Sequence, residues 1–77
     1  MHTGTVVAWQ WTTGFIRPDG GGKDYFCHFS GIKESEGYRK LDVGQRVVFD
    51  VEQGPKGLPQ ACNVKVIVPG EVNGNVA

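Results

Sequence analysis

Hydrophobic positions in this chain come in short runs, broken by glycine-rich and polar segments. No run is long enough for a helix that buries one face, whereas each suits a short strand. Residues 4–9 (GTVVAW) are rich in β-branched and aromatic side chains and predict a first strand. Residues 13–17 (TGFIR) predict a second, after a tight turn at 10–12. The run Pro18-Asp19-Gly20-Gly21-Gly22 is a strong turn signal. Residues 25–29 (YFCHF) predict a third strand, and three short strands so connected form an antiparallel meander. Residues 30–41 (SGIKESEGYRKL) are polar and without sustained period, as in a long surface connection with at most one helical turn. Residues 44–51 predict a fourth strand, with Val47, Phe49 and Val51 on its buried face. After the breaker-rich loop 54–59, residues 61–68 predict a fifth, with Cys62, Val64 and Val66 on one face.

Five strands with a long connection between the third and fourth predict an all-β fold. The expected architecture is a five-stranded antiparallel Greek-key barrel of the OB-fold type. Closure leaves no long free edge to aggregate. The 77 residues suffice for one domain, expected over 1–68, with 69–77 as a flexible tail.

Alternation along the strands separates an inside from an outside. Tyr25 and Cys27 share one face of the third strand, and Phe26 and His28 the other. The small, soft Cys27 suits the core, which turns Phe26 and His28 outward. Ile16 belongs inside, so Phe15 points out. Val6 and Ala8 read as buried, leaving Val7 and Trp9 outside. The expected result is an outward cluster of Trp9, Phe15, Phe26 and His28 on three neighbouring strands. Exposed aromatic patches of this kind suit nucleobases, since each base offers a π-face and duplex DNA hides it. The alternative is a second small core beneath the 30–41 connection, but a barrel this small has one interior, already filled by the other alternates.

The charge qualifies this picture. Eight Lys and Arg balance eight Asp and Glu, whereas nucleic-acid binders are commonly basic. Binding by a neutral chain should rest on stacking and respond weakly to salt. Cys27 and Cys62 read as thiols of a cytosolic protein, with a disulfide as the alternative. The two Cys and two His fit no zinc spacing, so no metal or cofactor is expected. The N-terminal residues have no signal-peptide pattern and no apolar run spans a membrane, so the expected compartment is the cytoplasm, without membrane association.

In the order of its motifs the chain resembles the bacterial cold-shock domain family. The most specific match is DYFCHFSGI at 24–32, similar to the family's second ribonucleoprotein motif, with Phe26, His28 and Phe29 at its aromatic positions. GYRKL at 37–41, VGQ at 43–45 and GPKGLPQACNV at 54–64 follow in family order. The resemblance implies a barrel that binds single-stranded RNA or DNA and melts RNA structure without ATP. It implies a stacking platform of Phe15, Phe26, His28 and Phe29, a further stacking aromatic at Tyr38, and a phosphate-contacting Lys56. The first ribonucleoprotein motif departs from the pattern: where the family reads K-G-F-G-F-I, this chain has Trp11-Thr12-Thr13-Gly14-Phe15-Ile16. Thr13 replaces a ring and Trp11 a basic residue. The stretch from Gly4 to Phe15 is shorter than the family's, and Val7-Ala8 stand where the family has Lys-Trp. Trp9 and Trp11 are expected to compensate, the alternative for Trp11 being packing of the shortened hairpin. A turn at 10–12 too short to close would let N-terminal strands exchange between chains; otherwise a monomer is expected.

No enzymatic activity is expected. Cys27 and His28 are consecutive strand residues that face apart and cannot form a nucleophile–base pair, and His28 with Ser30 or Asp24 lacks a third partner. The rival binding function is a protein-interaction module on the same barrel, which the neutral charge would suit.

Overall fold

A computed structural model describes residues 1–33 and 40–67. Tyr38, and the tail expected over 69–77, lie outside these. Five strands, β1 (His2–Gln10), β2 (Thr13–Pro18), β3 (Tyr25–His28), β4 (Arg46–Gln53) and β5 (Pro59–Val66), close into a barrel in the order β1-β2-β3-β5-β4. Four ladders are antiparallel and one, β3 with β5, is parallel. Parity requires this: directions cannot alternate all the way round a ring with an odd number of strands. The parallel seam is the weak one, a single residue pair, Phe26 opposite Gln60, extended by the isolated bridge between Ile32 and Val64. Among the described residues no helix is long and apolar enough to cross a membrane.

The interior is one apolar cluster of Val6, Ile16, Cys27, Ile32, Leu41, Val47, Phe49, Ala61, Val64 and Val66. Ile32 and Leu41 come from the two ends of the long connection, so that segment is anchored in the core at both sides even though its sequence is polar. The expected facing holds for β2, β3 and β4. Ile16 is 1% exposed against 44% for Phe15, and Cys27 is fully buried between the outward-facing Phe26 and His28. Tyr25 packs from the barrel side, edge-on to Phe49 with ring centres 5.7 Å apart.

Two β-bulges break the alternation elsewhere. In β1, Val6 stands opposite Ile16 and Ala8 opposite Phe15, so Val7 is an extra residue with no partner on β2. Ile16 and Phe15 face apart, so Val6 and Ala8 must as well. Ala8 is therefore outside, not buried as alternation alone predicts, and Trp9 turns to the core side, where it packs against the apolar cluster. In β5, Cys62 stands opposite Asp50 and Lys65 opposite Val48, leaving Asn63 and Val64 to face Phe49 alone. Asn63 takes the extra position with φ 50°, a left-handed conformation Asn tolerates better than most residues. Ala61 and Val64 line the core, and Cys62 is only half-buried rather than inward.

The β1–β2 hairpin closes within the chain, with Gln10 paired to Thr13 and only Trp11 and Thr12 in the turn. Gly14 makes this compact end feasible. A Cβ there would strike the Ala8 carbonyl oxygen and lie 2.5 Å from Cε3 of Trp9. Outside, Asp19 in the β2–β3 turn joins separate strands: Arg46 of β4 meets its two carboxylate oxygens at 2.6 Å each, and Thr3 of β1 donates a 2.7 Å hydrogen bond to it.

Gly14→Ala should destabilise the fold by about 1–3 kcal/mol, as overpacking does. Gly20→Ala, into open space, should be close to neutral. Urea denaturation compares them, and equal midpoints would refute the packing assignment. The Arg46 guanidinium and the Thr3 hydroxyl hold the Asp19 carboxyl down to a pKa of about 2. A depressed carboxylate pKa adds stability above its unfolded value of roughly 3.9, and that stability is lost as pH falls through the folded value. The destabilisation of Asp19→Asn relative to wild type should therefore be present at neutral pH and vanish toward pH 2. A difference unchanged across that range would contradict the assignment.

Candidate nucleic-acid interface

The outward side of β2 and β3 carries the candidate platform. Phe15 and Phe26 stand directly opposite each other in the ladder, and so do Thr13 and His28. The Phe15 and Phe26 rings meet edge to face, with centres 5.9 Å apart at 72°. Both are solvent-exposed, at 44% and 36%. Edge-to-face contact fixes two large rings against each other while leaving faces free.

Phe29 was expected to end the third strand. Instead the strand stops at His28, and residues Phe29–Gly31 form one turn of 3₁₀ helix capped by His28. The cause is local. The Ser30 backbone N–H donates to His28 Nδ1 at 3.2 Å, and Ser30 Oγ lies 2.8 Å from the same nitrogen. This is the N-cap arrangement, with an imidazole nitrogen in place of the usual side-chain oxygen. With Nδ1 accepting, the proton of the neutral ring sits on Nε2, where it can donate to a phosphate or a base edge. The turn also swings Phe29 against His28, ring centres 4.6 Å apart. The Ser30–His28 contact is thus a cap that ends the strand. Burial pushes the Cys27 thiol up to about 11, which keeps it in the protonated form at neutral pH.

Residues that sequence reasoning did not single out complete the surface. Leu58, 66% exposed, and Pro59 wall a cleft of about 250 Å³ against Phe26. A neighbouring cleft of about 350 Å³ runs from these two residues past Phe15 to Lys23. The signal was present as an apolar residue between breakers in the loop 54–59. Beyond His28, the short parallel seam leaves a groove of about 390 Å³ lined by Ser30, Lys33, Gln60 and Cys62. Lys56 is exposed in the same loop as Leu58, held in a left-handed conformation (φ 63°).

The charged side chains divide into paired and unpaired groups. The two described arginines are occupied, Arg17 with Asp24 at 3.1 Å and Arg46 with Asp19. Among the described residues none of Lys23, Lys33, Lys40, Lys56 and Lys65 forms an ion pair, and Lys23, Lys33 and Lys56 adjoin the clefts or the loop beside the platform.

The model of the "Cold-shock" DNA-binding domain matches residues 2–67. The chain belongs to the cold-shock domain family. It is 55% identical over 82 residues to the cold shock-like protein CspD of Escherichia coli K12, covering the whole of both chains. It is 57% identical over 69 residues to the cold shock protein ScoF of Streptomyces coelicolor, covering 83% of this chain and 96% of the relative. Against the cold shock-like protein CspA of Stigmatella aurantiaca the identity is 51% over 72 residues, covering 87% and 98%. The family is one of nucleic-acid binders rather than enzymes.

Within this cold-shock domain, the tryptophans do not act alike. Trp9, expected on the outer aromatic face, sits on the core side because the Val7 bulge reverses the phase of β1. Ala8 takes the outward place beside Phe15. Trp11 projects from the hairpin turn with 89% exposure, so it does not pack the shortened hairpin. Trp9→Ala should accordingly lower stability by roughly 1–3 kcal/mol, less than the 3–5 of a fully buried ring, with Trp9→Phe retaining most of it. An unfolding midpoint unchanged by Trp9→Ala would show that the ring is not part of the packing.

Proposed function

We propose that this cold-shock domain binds single-stranded RNA or DNA by stacking bases on Phe15, Phe26, His28 and Phe29, with Lys56, Lys23 and Lys33 placed for the phosphates. The carrying observation is the exposed edge-to-face pair of Phe15 and Phe26 on adjacent strands of a barrel whose single interior is already filled. Large rings left in water at a strand centre favour a ligand with faces of its own. Base stacking contributes roughly 1–3 kcal/mol per base and tolerates many sequences. An unpaired strand held this way cannot re-form structure, and the stacking requires no nucleotide hydrolysis. The protein would then serve as an RNA chaperone or a transcription-regulating cold-shock protein, acting as a monomer in the cytoplasm. Family membership supports this reading over a protein-interaction module.

Phe26→Ala should weaken binding to oligo-dT roughly tenfold or more, since 1.4 kcal/mol is a factor of ten. The fold should persist, because the ring is exposed. With about three phosphates neutralised at ~0.7 per contact, log K should fall with log salt at a slope no steeper than about −2. Fluorescence titrations at two salt concentrations check both. An unaltered affinity for Phe26→Ala, or no binding by the wild type at high micromolar concentration, would overturn the proposal.

A further inference from the structure

Trp11 is the most exposed aromatic ring among the described residues, and it stands where its backbone should discourage it. It occupies the first position of a two-residue turn with φ 60°. Hairpins of this length normally place Gly, Asn or Asp at such positions, because a side chain there strains the backbone. Such a residue persists only where its surroundings hold it. Here the ring is 89% exposed, so packing does not offset the strain. Strain maintained at a solvent-facing aromatic points to a use outside the fold.

The turn is also held rigidly in place. The Trp9 indole Nε1–H donates to the Trp11 carbonyl at 3.1 Å, and the Phe29 backbone N–H donates to the Thr12 carbonyl at 2.8 Å. The second bond ties the hairpin tip to the residue at the end of the platform, one residue from Trp11, or about 3.8 Å of chain. The platform itself lacks a ring at Thr13, the residue opposite His28.

We propose that Trp11 supplies a terminal stacking position for one further base of a bound single strand, beyond Phe29 and off the end of the barrel, in place of the ring absent at Thr13. This rests on the stacking function proposed for Phe15, Phe26, His28 and Phe29. Trp9 contributes by fixing the turn, not by touching the ligand. The Val7 bulge joins the two roles, since it turns Trp9 inward to the place from which its indole N–H reaches Trp11. The bound strand is then displaced toward the hairpin tip, away from Ala8, which offers no ring.

The test is a length series of oligo-dT, from four to eight nucleotides, titrated by fluorescence anisotropy. The proteins compared are wild type, Trp11→Gly, which suits the turn's φ and preserves the fold, and Trp11→Phe, which keeps a ring. Wild type should gain affinity up to a length one nucleotide beyond the point at which Trp11→Gly stops gaining. On the longest strands Trp11→Gly should bind about 5- to 50-fold more weakly, on the shortest it should match wild type, and Trp11→Phe should recover most of the loss. Wild-type tryptophan emission should be quenched on binding, and most of that quenching should be lost in Trp11→Phe, whose one tryptophan is Trp9 and whose turn keeps the Trp9 hydrogen bond. Identical length profiles for wild type and Trp11→Gly, with quenching undiminished in Trp11→Phe, would overturn the role of Trp11 and leave the platform standing. Failure of the wild type to bind any length would overturn the platform and this proposal together.

Discussion

A closed five-stranded barrel has one interior, and everything else in this protein follows from that restriction. The apolar side of each strand must turn into the space filled by Val6, Ile16, Cys27, Val47, Phe49, Ala61 and Val64. Large residues on the opposite side have nowhere to hide. Phe15 and Phe26 are thereby kept in water, and their edge-to-face contact is a favoured arrangement that still leaves ring faces open. The odd number of strands adds a second consequence, a parallel seam of a single pair between β3 and β5. Beside that short seam the surface opens into a polar groove, next to the platform rather than across the barrel from it.

Electrostatics play a supporting part. A formal charge of zero would seem to leave little attraction for phosphates. Pairing resolves the difficulty. Acidic partners occupy the arginines that staple strands and turns together, and the lysines around the clefts stay unpaired among the described residues. Lysines are therefore available beside the clefts, although Glu52 shares the groove with Lys33 and Asp24 the cleft with Lys23, so in the proposed binding the rings carry the larger share of the attraction.

Much of this was legible in the sequence because period-two alternation is a strong signal wherever strands are regular. It placed Phe15, Phe26 and His28 outside and Ile16, Cys27, Val47 and Phe49 inside. It failed past a bulge, where one extra residue reverses the faces that follow. Trp9, Ala8 and Cys62 were misplaced for that reason alone. Asn63 did carry a hint, since Asn tolerates the left-handed conformation it adopts, but the β-branched Val7 carries none. The shortened stretch before Phe15 was visible without its consequence, because only the pairing register shows where an extra residue sits. The end of β3 depended on a side-chain cap from His28 to Ser30, a contact that the apolar pattern cannot encode.

The central claim is that one face of this barrel, running from Phe15 and Phe26 through His28 and Phe29 to the hairpin tip, receives a single strand. Amide chemical-shift mapping with a short oligo-dT tests it most directly. The account predicts that the largest perturbations fall on Phe15, Phe26, His28, Phe29 and Trp11, with Val48, Asp50 and Lys65 on the outer side of β4 and β5 unmoved. Perturbations centred on Val48, Asp50 and Lys65, with the platform silent, would contradict it.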